Sequence, residues 1–278
     1  MSTINIKTFS SSDLGFFVMS TIVCGDRDAV LFDAQLLQGE AEKVVEMIKD
    51  LKKQLKAIFI THAHSDHFFG LATFQKAFPD VKIYAHPDVV RDAQKTAQHQ
   101  IIAMKQLFKP LNQDLIPDTV AIPEPYIPLT YSLEGQYIQI IPSLTGDIAP
   151  STAYFIPSID TMIAGDIVYN NVHPWTIDTN NKERNHWIAS LQQLKTYNPR
   201  IVIGGHKDIT QSDSSDSIDF MINYLTRFNQ AIDTLGTAAE VIEHMKQQFP
   251  KATRIGMLRI GAKKNKGERF SFQEFFAN

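Results

Sequence analysis

The heptapeptide THAHSDH, residues 61–67, follows directly on the apolar run AIFI at residues 57–60. Three imidazoles and a carboxylate therefore stand at the end of a segment whose aliphatic and aromatic residues read as a buried strand. Imidazole is costly to bury unless something holds it, so the cluster is either a histidine-rich surface loop or a grip on an ion. On an extended segment, side chains two apart project to the same side. His62 and His64 then share a face, Asp66 continues that register, and His67 opens the helix that follows. Such spacing lets neighbouring residues serve two adjacent ions rather than crowd one.

Strand and helix signals alternate outward from this stretch. FFVMSTIV (16–23) and AVLFDAQ (29–35) flank the turn CGDRD and read as a hairpin, with Gly25, Asp26 and Asp28 as turn formers. GEAEKVVEMIKDLKKQL (39–55) sets Val44, Val45, Ile48 and Leu51 on one helical face, with lysines opposite. KAIFI (56–60) is a strand, HFFGLATFQKAFP (67–79) one helix stopped by Pro79, KIYAH (82–86) a short strand, and 87–108 a helix. The proline-punctuated stretch 109–129 reads as an irregular covering loop. Strand signals return in QYIQIIPSL (136–144), STAYFIP (151–157) and TMIAGDIVY (161–169). A helix at 181–197, a strand in RIVIGGH (200–206) and a helical tail over 217–248 follow.

No composition break or linker divides the 278 residues, so one domain over 1–278 is expected, with a helical C-terminal region. The strand-rich halves, each with helices interspersed, suggest two sheets sandwiched between helices. Composition is that of an ordinary globular chain, 44% hydrophobic and 21% charged. A net charge of -3, from 27 basic and 30 acidic residues, gives no broad electrostatic case for nucleic acid or an anionic membrane. The basic stretch GAKKNKGER (261–269) reads as a solvated loop. Cys24 is the sole cysteine, which rules out an intrachain disulfide and cysteine-based zinc sites. The apolar segment 16–23 is interrupted by Ser20 and Thr21, is too short to span a bilayer and follows no basic leader, so a cytoplasmic setting is expected. There is no GxSxG elbow and no P-loop.

HxHxDH after an apolar strand resembles the metallo-β-lactamase superfamily. The resemblance implies an α/β (α+β in some schemes) four-layer αβ/βα sandwich of two mixed sheets, with one or two metal ions at its edge. It extends over roughly residues 16–206, because later landmarks occur in the family's order. Asp166 in MIAGDIVY matches the carboxylate that bridges both ions, and His206 in IVIGGH matches the last histidine ligand. One landmark departs from the pattern: GDIAPST puts Asp147 where the family usually has a histidine, in a sequence like GHTPGS. What the resemblance implies is one ion held by His62, His64 and Asp147, another by Asp66, His67 and His206, and Asp166 between them. Two divalent ions are expected, with Zn2+ the first choice on a histidine-dominated set. The extra carboxylate lets Mn2+ or Fe2+ compete and weakens the acidification of bound water. Asp33, in VLFDAQ, matches a strand-end aspartate that ties down the loop behind the ligands.

The implied activity is a metallo-hydrolase using a metal-bound hydroxide on a small ester or lactone, Asp66 also orienting the nucleophile. Tyr169 stands three residues after Asp166, as in the superfamily's N-acyl homoserine lactonases, which makes it a candidate oxyanion donor; a strand-end tyrosine wetting its hydroxyl is the other reading. His173 and Trp175 should lie at the mouth of the site. Phe108, with Met104 and Leu107, forms either a hydrophobic lid over substrate or a core stripe. His86, His99, His186 and His244 have no motif around them. Alternatives are a thioesterase of the glyoxalase II type, a β-lactamase-like amide hydrolase, and a metal-binding regulator with little turnover. The expected partner is a small molecule, with neither nucleic acid nor membrane; a homodimer through the helical tail stays open.

Overall fold

The computed structural model describes residues 3–111 and 115–275. Runs of aliphatic and β-branched residues form strands that sort into two mixed sheets. The first contains β1 (Asn5–Ser10), β2 (Met19–Cys24), β3 (Asp28–Phe32), β4 (Gln54–Ile60), β5 (Lys82–Ala85) and β6 (Glu124–Pro125), hydrogen-bonded in that order. Its β1–β2–β3 part is antiparallel, whereas β3 to β6 run parallel. The second contains β7 (Thr130–Leu133), β8 (Gln136–Leu144), β9 (Ser151–Ile156), β10 (Thr161–Asn170) and β11 (Ile201–Lys207), antiparallel except for β10 beside β11.

The sheets meet face to face. Val30, Phe32 and Phe59 of the first pack with Ile140, Tyr154, Ile163 and Ile203 of the second. Every residue of β10 is buried, as expected for a strand covered on both faces. Helices cover the outer faces. On the first sheet lie α1 (Gln38–Asp50), the short α2 (Ser65–Phe68), α3 (Leu71–Ala77) and α4 (Pro87–Phe108), whose Val44, Ile48, Phe74, Val89 and Ile101 share one apolar cluster. On the second lie α5 (Asn181–Lys195) and α6 (Asp216–Thr234), through Trp187, Leu191, Met221 and Leu225. α7 (Ala238–Gln248) and α8 (Ile255–Asn265) pack on α6, and a 3-10 turn at Phe272–Phe275 follows. This is the four-layer helix–sheet–sheet–helix sandwich. Among the described residues no helix is long and apolar enough to cross a membrane.

Four details differ from the sequence reading. β1 precedes the expected hairpin and pairs with β2. The strand read over 16–23 begins only at Met19, because Phe16 and Phe17 are both left-handed, with φ of 64° and 61°. The helix read over 67–79 breaks at Gly70, where a Cβ would stand 2.1 Å from the Ala34 carbonyl oxygen. Only glycine lets the loop after β3 pass so close. Finally, the stretch 109–129 contributes the edge strand β6, and residues 112–114 of it lie outside the described residues.

Candidate metal centre

β4 delivers its C-terminal end to one edge of the sandwich, and THAHSDH continues from it into α2. The turn after β8 brings Asp147, β10 brings Asp166 and β11 brings His206 to the same edge. Ligand atoms of His62, His64, Asp147 and Asp166 all lie within 4.8 Å of one another, as do those of Asp66, His67 and His206. Asp166 joins the two groups: its Oδ2 is 3.1 Å from His206 Nε2 and its Oδ1 3.2 Å from His67 Nε2. The structure thus gathers all seven residues singled out as candidate ligands.

Partners behind the ligands fix which nitrogen of each imidazole faces the centre. The Asp33 carboxylate accepts from Thr61 N–H at 2.9 Å and from Thr61 Oγ1 at 2.9 Å, and stands 2.8 Å from His67 Nδ1. Thr61 Oγ1, its proton given to Asp33, accepts from His62 Nδ1 at 2.9 Å. His206 Nδ1 donates to the Phe16 carbonyl at 2.9 Å. Three imidazoles therefore have Nδ1 engaged outside and Nε2 aimed inward, the arrangement that orients histidine ligands. His64 is turned the other way, with Nδ1 2.9 Å from Asp147 Oδ2 and Nε2 3.8 Å from Asp178 Oδ2.

The residues fit divalent cations. His62 Nε2, His67 Nε2 and Asp166 Oδ1 are buried without a hydrogen-bond partner. The 3.2 Å approach of the last two is not aligned as a hydrogen bond, so both atoms address a common point rather than each other. A buried polar atom left unpaired costs about 1–3 kcal/mol, and three in one place call for something that binds them all. Imidazole nitrogens and carboxylate oxygens are the donor types zinc and harder divalent ions take.

The carboxylates and imidazoles of the cluster shift one another's proton affinities. Burial pulls His206 down, but Asp166 and Asp66 outweigh it and raise the imidazole to about 10. His67 is likewise raised well above its ordinary value, burial being overcome by Asp166, Asp33 and Asp66. For His64, burial is overcome by Asp147, and the group rises to about 9. His62 goes the other way, lowered by burial and by His67, and so offers a bare lone pair. Burial pushes Asp66 and Asp166 up, yet neighbouring imidazoles hold both below the usual carboxylate range. Asp147 rises to about 6, chiefly from burial. A cation entering this site would compete with these protons.

A cavity of about 480 Å3 opens on the cluster, floored by His64, Asp66, Asp147, Asp166, Tyr169 and His206. Tyr169 is fully buried and stacks on His206 with ring centroids 5.2 Å apart. Its hydroxyl donates to Asp166 Oδ2 at 2.6 Å and also lies 3.3 Å from Asp147 Oδ2; burial and these carboxylates keep it protonated. Trp175 lines the cavity. Two sequence expectations need correction. His173 is absent from the lining: it is buried, its Nδ1 2.8 Å from Tyr224 Oη, because its backbone pairs with Thr253 and carries the ring behind the site. Phe108 is also buried outside the lining and stacks behind Phe16, at 6.0 Å between centroids, while Met104 and Leu107 do face the cavity. His99 lines the cavity, whereas His86 sits at the start of α4, accepting from Asp88 N–H.

Sequence reasoning missed Phe16, Phe272 and Phe275, which complete the cavity's aromatic wall with Trp175. The phenylalanine-rich run RFSFQEF (269–275) was the available signal. It also missed Gly205. A Cβ there would stand 1.8 Å from Asp166 Oδ1, so the glycine makes room for the shared carboxylate.

Comparison with known proteins adds three findings. The family model described as the metallo-beta-lactamase superfamily matches residues 14–137. The hydroxyacylglutathione hydrolase of Nostoc sp. is 47% identical over 46 residues, 16% of this chain and 18% of that protein. That of Blochmanniella pennsylvanica is 30% identical over 77 residues, 27% of this chain and 31% of that protein. The chain thus spans under a third of the length of either relative. Among solved structures, a metallo-beta-lactamase from Pontibacter korlensis superposes with a TM-score of 0.55 at 17% identity, covering 81% of this chain and 99% of that one. A double mutant of the sec-alkyl sulfatase PisA1 gives 0.63 at 14% identity, covering 89% of this chain and 46% of that one. At such identities these neighbours speak for the fold.

Proposed function

We propose that this chain is a member of the metallo-β-lactamase superfamily and a metal-dependent hydrolase of small esters or lactones. The observation that carries the reading is the convergence of four imidazoles and three carboxylates, with inward atoms left unpaired, on the floor of a largely apolar cavity. His62, His64 and Asp147 would hold one divalent cation and Asp66, His67 and His206 another, with Asp166 shared. When bound, such a pair supplies Lewis acidity toward a carbonyl oxygen and acidifies a water near neutral pH. The chain's own contributions are orientation and exclusion. Asp33, Thr61 and the Phe16 carbonyl fix the imidazoles, Asp66 stays ionised beside the floor, and Tyr169 holds a proton at Oη between two carboxylates. The Tyr169 hydroxyl is placed to give its hydrogen bond to a developing oxyanion, should Asp166 release it.

Zinc is our choice of native ion because nitrogens dominate the donor set, and a cytoplasmic setting suits a lone, buried Cys24. Thioesters are a second reading, favoured by the local identity to the Nostoc hydroxyacylglutathione hydrolase. The test is metal content together with turnover on a panel of short esters, lactones and thioesters. Two equivalents of metal and turnover abolished in His64→Ala are expected; bound metal with no turnover across the panel would point to a regulator instead.

A further inference from the structure

We infer that the substrate pairs an apolar acyl group with a leaving group or carrier that bears no carboxylate, so that glutathione conjugates are refused. The inference rests on the hydrolase reading and narrows its substrate class. Two features of the cavity carry it.

The first is its wall. Phe16, Met104, Leu107, Trp175, Phe272 and Phe275 reach it from the N-terminal turn, α4, the segment after β10 and the C-terminal 3-10 turn. Phe275 packs edge-on to Phe16 at 5.0 Å, and Phe272 lies parallel to Trp175 at 6.4 Å. A volume of about 480 Å3 with such walls suits a medium acyl chain.

The second is the charge that remains after the ligands are assigned. Asp66, Asp147 and Asp166 belong to the cation site. The carboxylates left to meet a substrate are Asp92 on α4 and Asp178, which accepts from Trp175 Nε1 at 2.7 Å. Among the described lining residues there is no lysine and no arginine. Two cations of the basic stretch 261–269, the one sequence feature suggestive of an anion-binding arm, are engaged elsewhere. Lys263 Nζ bonds Glu274 Oε2 at 2.7 Å, and Lys266 Nζ donates to the Ile232 and Leu235 carbonyls at 3.1 and 2.6 Å. Beyond the cation site, the two carboxylates of a glutathione carrier would meet a wall that offers Asp92 and Asp178 and no lysine or arginine, an arrangement that rejects a partner by like-charge contact. A carrier without carboxylates meets no such penalty.

The experiment measures binding of two inert thioethers with the same alkyl chain to the metal-loaded full chain by calorimetry: S-hexylglutathione and S-hexyl-N-acetylcysteamine. The uncharged thioether should bind about 30-fold tighter or better. In Asp92→Lys, on a partly buried position of α4, that gap should shrink by about fivefold through stronger glutathione-conjugate binding. In Phe272→Ser the uncharged thioether should weaken by about fivefold. Equal or tighter binding of S-hexylglutathione to the unaltered chain overturns the inference. So does failure of the uncharged thioether to bind, since the apolar wall then takes no alkyl chain. The hydrolase reading is judged apart from both, by metal content and turnover of a short ester.

Discussion

Replacing Gly205 by alanine tests whether Asp166 is the shared carboxylate of the centre. The glycine precedes His206 in β11, and a Cβ on it would stand 1.8 Å from Asp166 Oδ1 and, in a slight backbone contact, 2.9 Å from the Gly165 carbonyl carbon. Contacts below 3.0 Å are essentially never tolerated, so the carboxylate must withdraw by about 1.2 Å. The backbone at Gly205 is not left-handed, so alanine adds no conformational penalty of its own. Withdrawal breaks the 2.6 Å bond from Tyr169 Oη and the approaches at 3.1 and 3.2 Å to His206 and His67. A misplacement of about 1 Å at a reacting centre costs roughly 100-fold in rate, while overpacking costs about 1–3 kcal/mol in stability. Gly205→Ala should therefore fold, bind less than two equivalents of metal after dialysis, and lose about 100-fold in kcat. Gly204→Ala is the contrast, because its Cβ would meet the Val168 carbonyl oxygen at 2.2 Å and no side-chain rotation relieves a backbone clash. It should lower Tm more and disturb metal binding less. A folded Gly205→Ala protein with two tightly held equivalents and unaltered turnover would refute Asp166 as a shared ligand.

Four further outcomes follow from the same geometry. At pH 7.5 the raised imidazoles of His64, His67 and His206 carry protons that cations must displace, so calorimetric metal titrations in buffers of different ionisation enthalpy should report net proton release and an affinity that falls as pH falls; no net release contradicts the cluster. The same shifts stabilise the metal-free fold fully below an imidazole's ordinary value near 6.5, and that contribution is lost as pH rises through about 9 for His64 and about 10 for His206. Chelation should lower Tm by about 8–16 °C, from about 4 kcal/mol of linkage at thousandfold excess ligand and about 2–4 °C per kcal/mol; an unchanged Tm in a thermal melt argues against a bound ion. Tyr169→Phe should cost on the order of 100-fold in kcat with a much smaller change in metal content, and wild-type turnover would leave the hydroxyl a packing role.

The candidate ligands were legible for unequal reasons. His62, His64, Asp66 and His67 crowd one short segment after an apolar strand, and residue types that avoid burial announce themselves there. Asp147, Asp166 and His206 were legible only through their order along the chain, since an aspartate in a turn has many other uses. What escaped was set by tertiary contact. Phe16 looked like strand because its side chain is apolar; its left-handed backbone comes from a turn whose carbonyl is needed by His206, 190 residues away. His173 looked like a mouth residue by nearness to Asp166 in sequence, yet the chain leaves β10 by pairing with Thr253 and buries the ring against Tyr224. Phe272 and Phe275 sit among polar residues with no strong periodicity, and only the fold brings them over the cavity.

The centre straddles the seam between the two sheets, and the residues behind the ligands cross that seam in both directions. The turn before β2 lends its Phe16 carbonyl to His206 of the other sheet, and Val18 bridges to His206 along the backbone. From the second sheet, Thr152 N–H donates to the Thr61 carbonyl at 2.8 Å and Tyr154 Oη to the Ile60 carbonyl at 3.2 Å. Neither sheet alone can assemble the ligand set, so a cation held here binds only the closed sandwich and stabilises the fold as a whole. The two consecutive left-handed phenylalanines make sense in that light. Strain of about 1–3 kcal/mol per residue persists only where the surroundings over-determine it. Here one turn must hold the candidate ligand His206 through its carbonyl and wall the cavity through the Phe16 ring. Substrate packed on that ring would press on the same turn that orients His206, which ties the apolar wall to the geometry of the cation site.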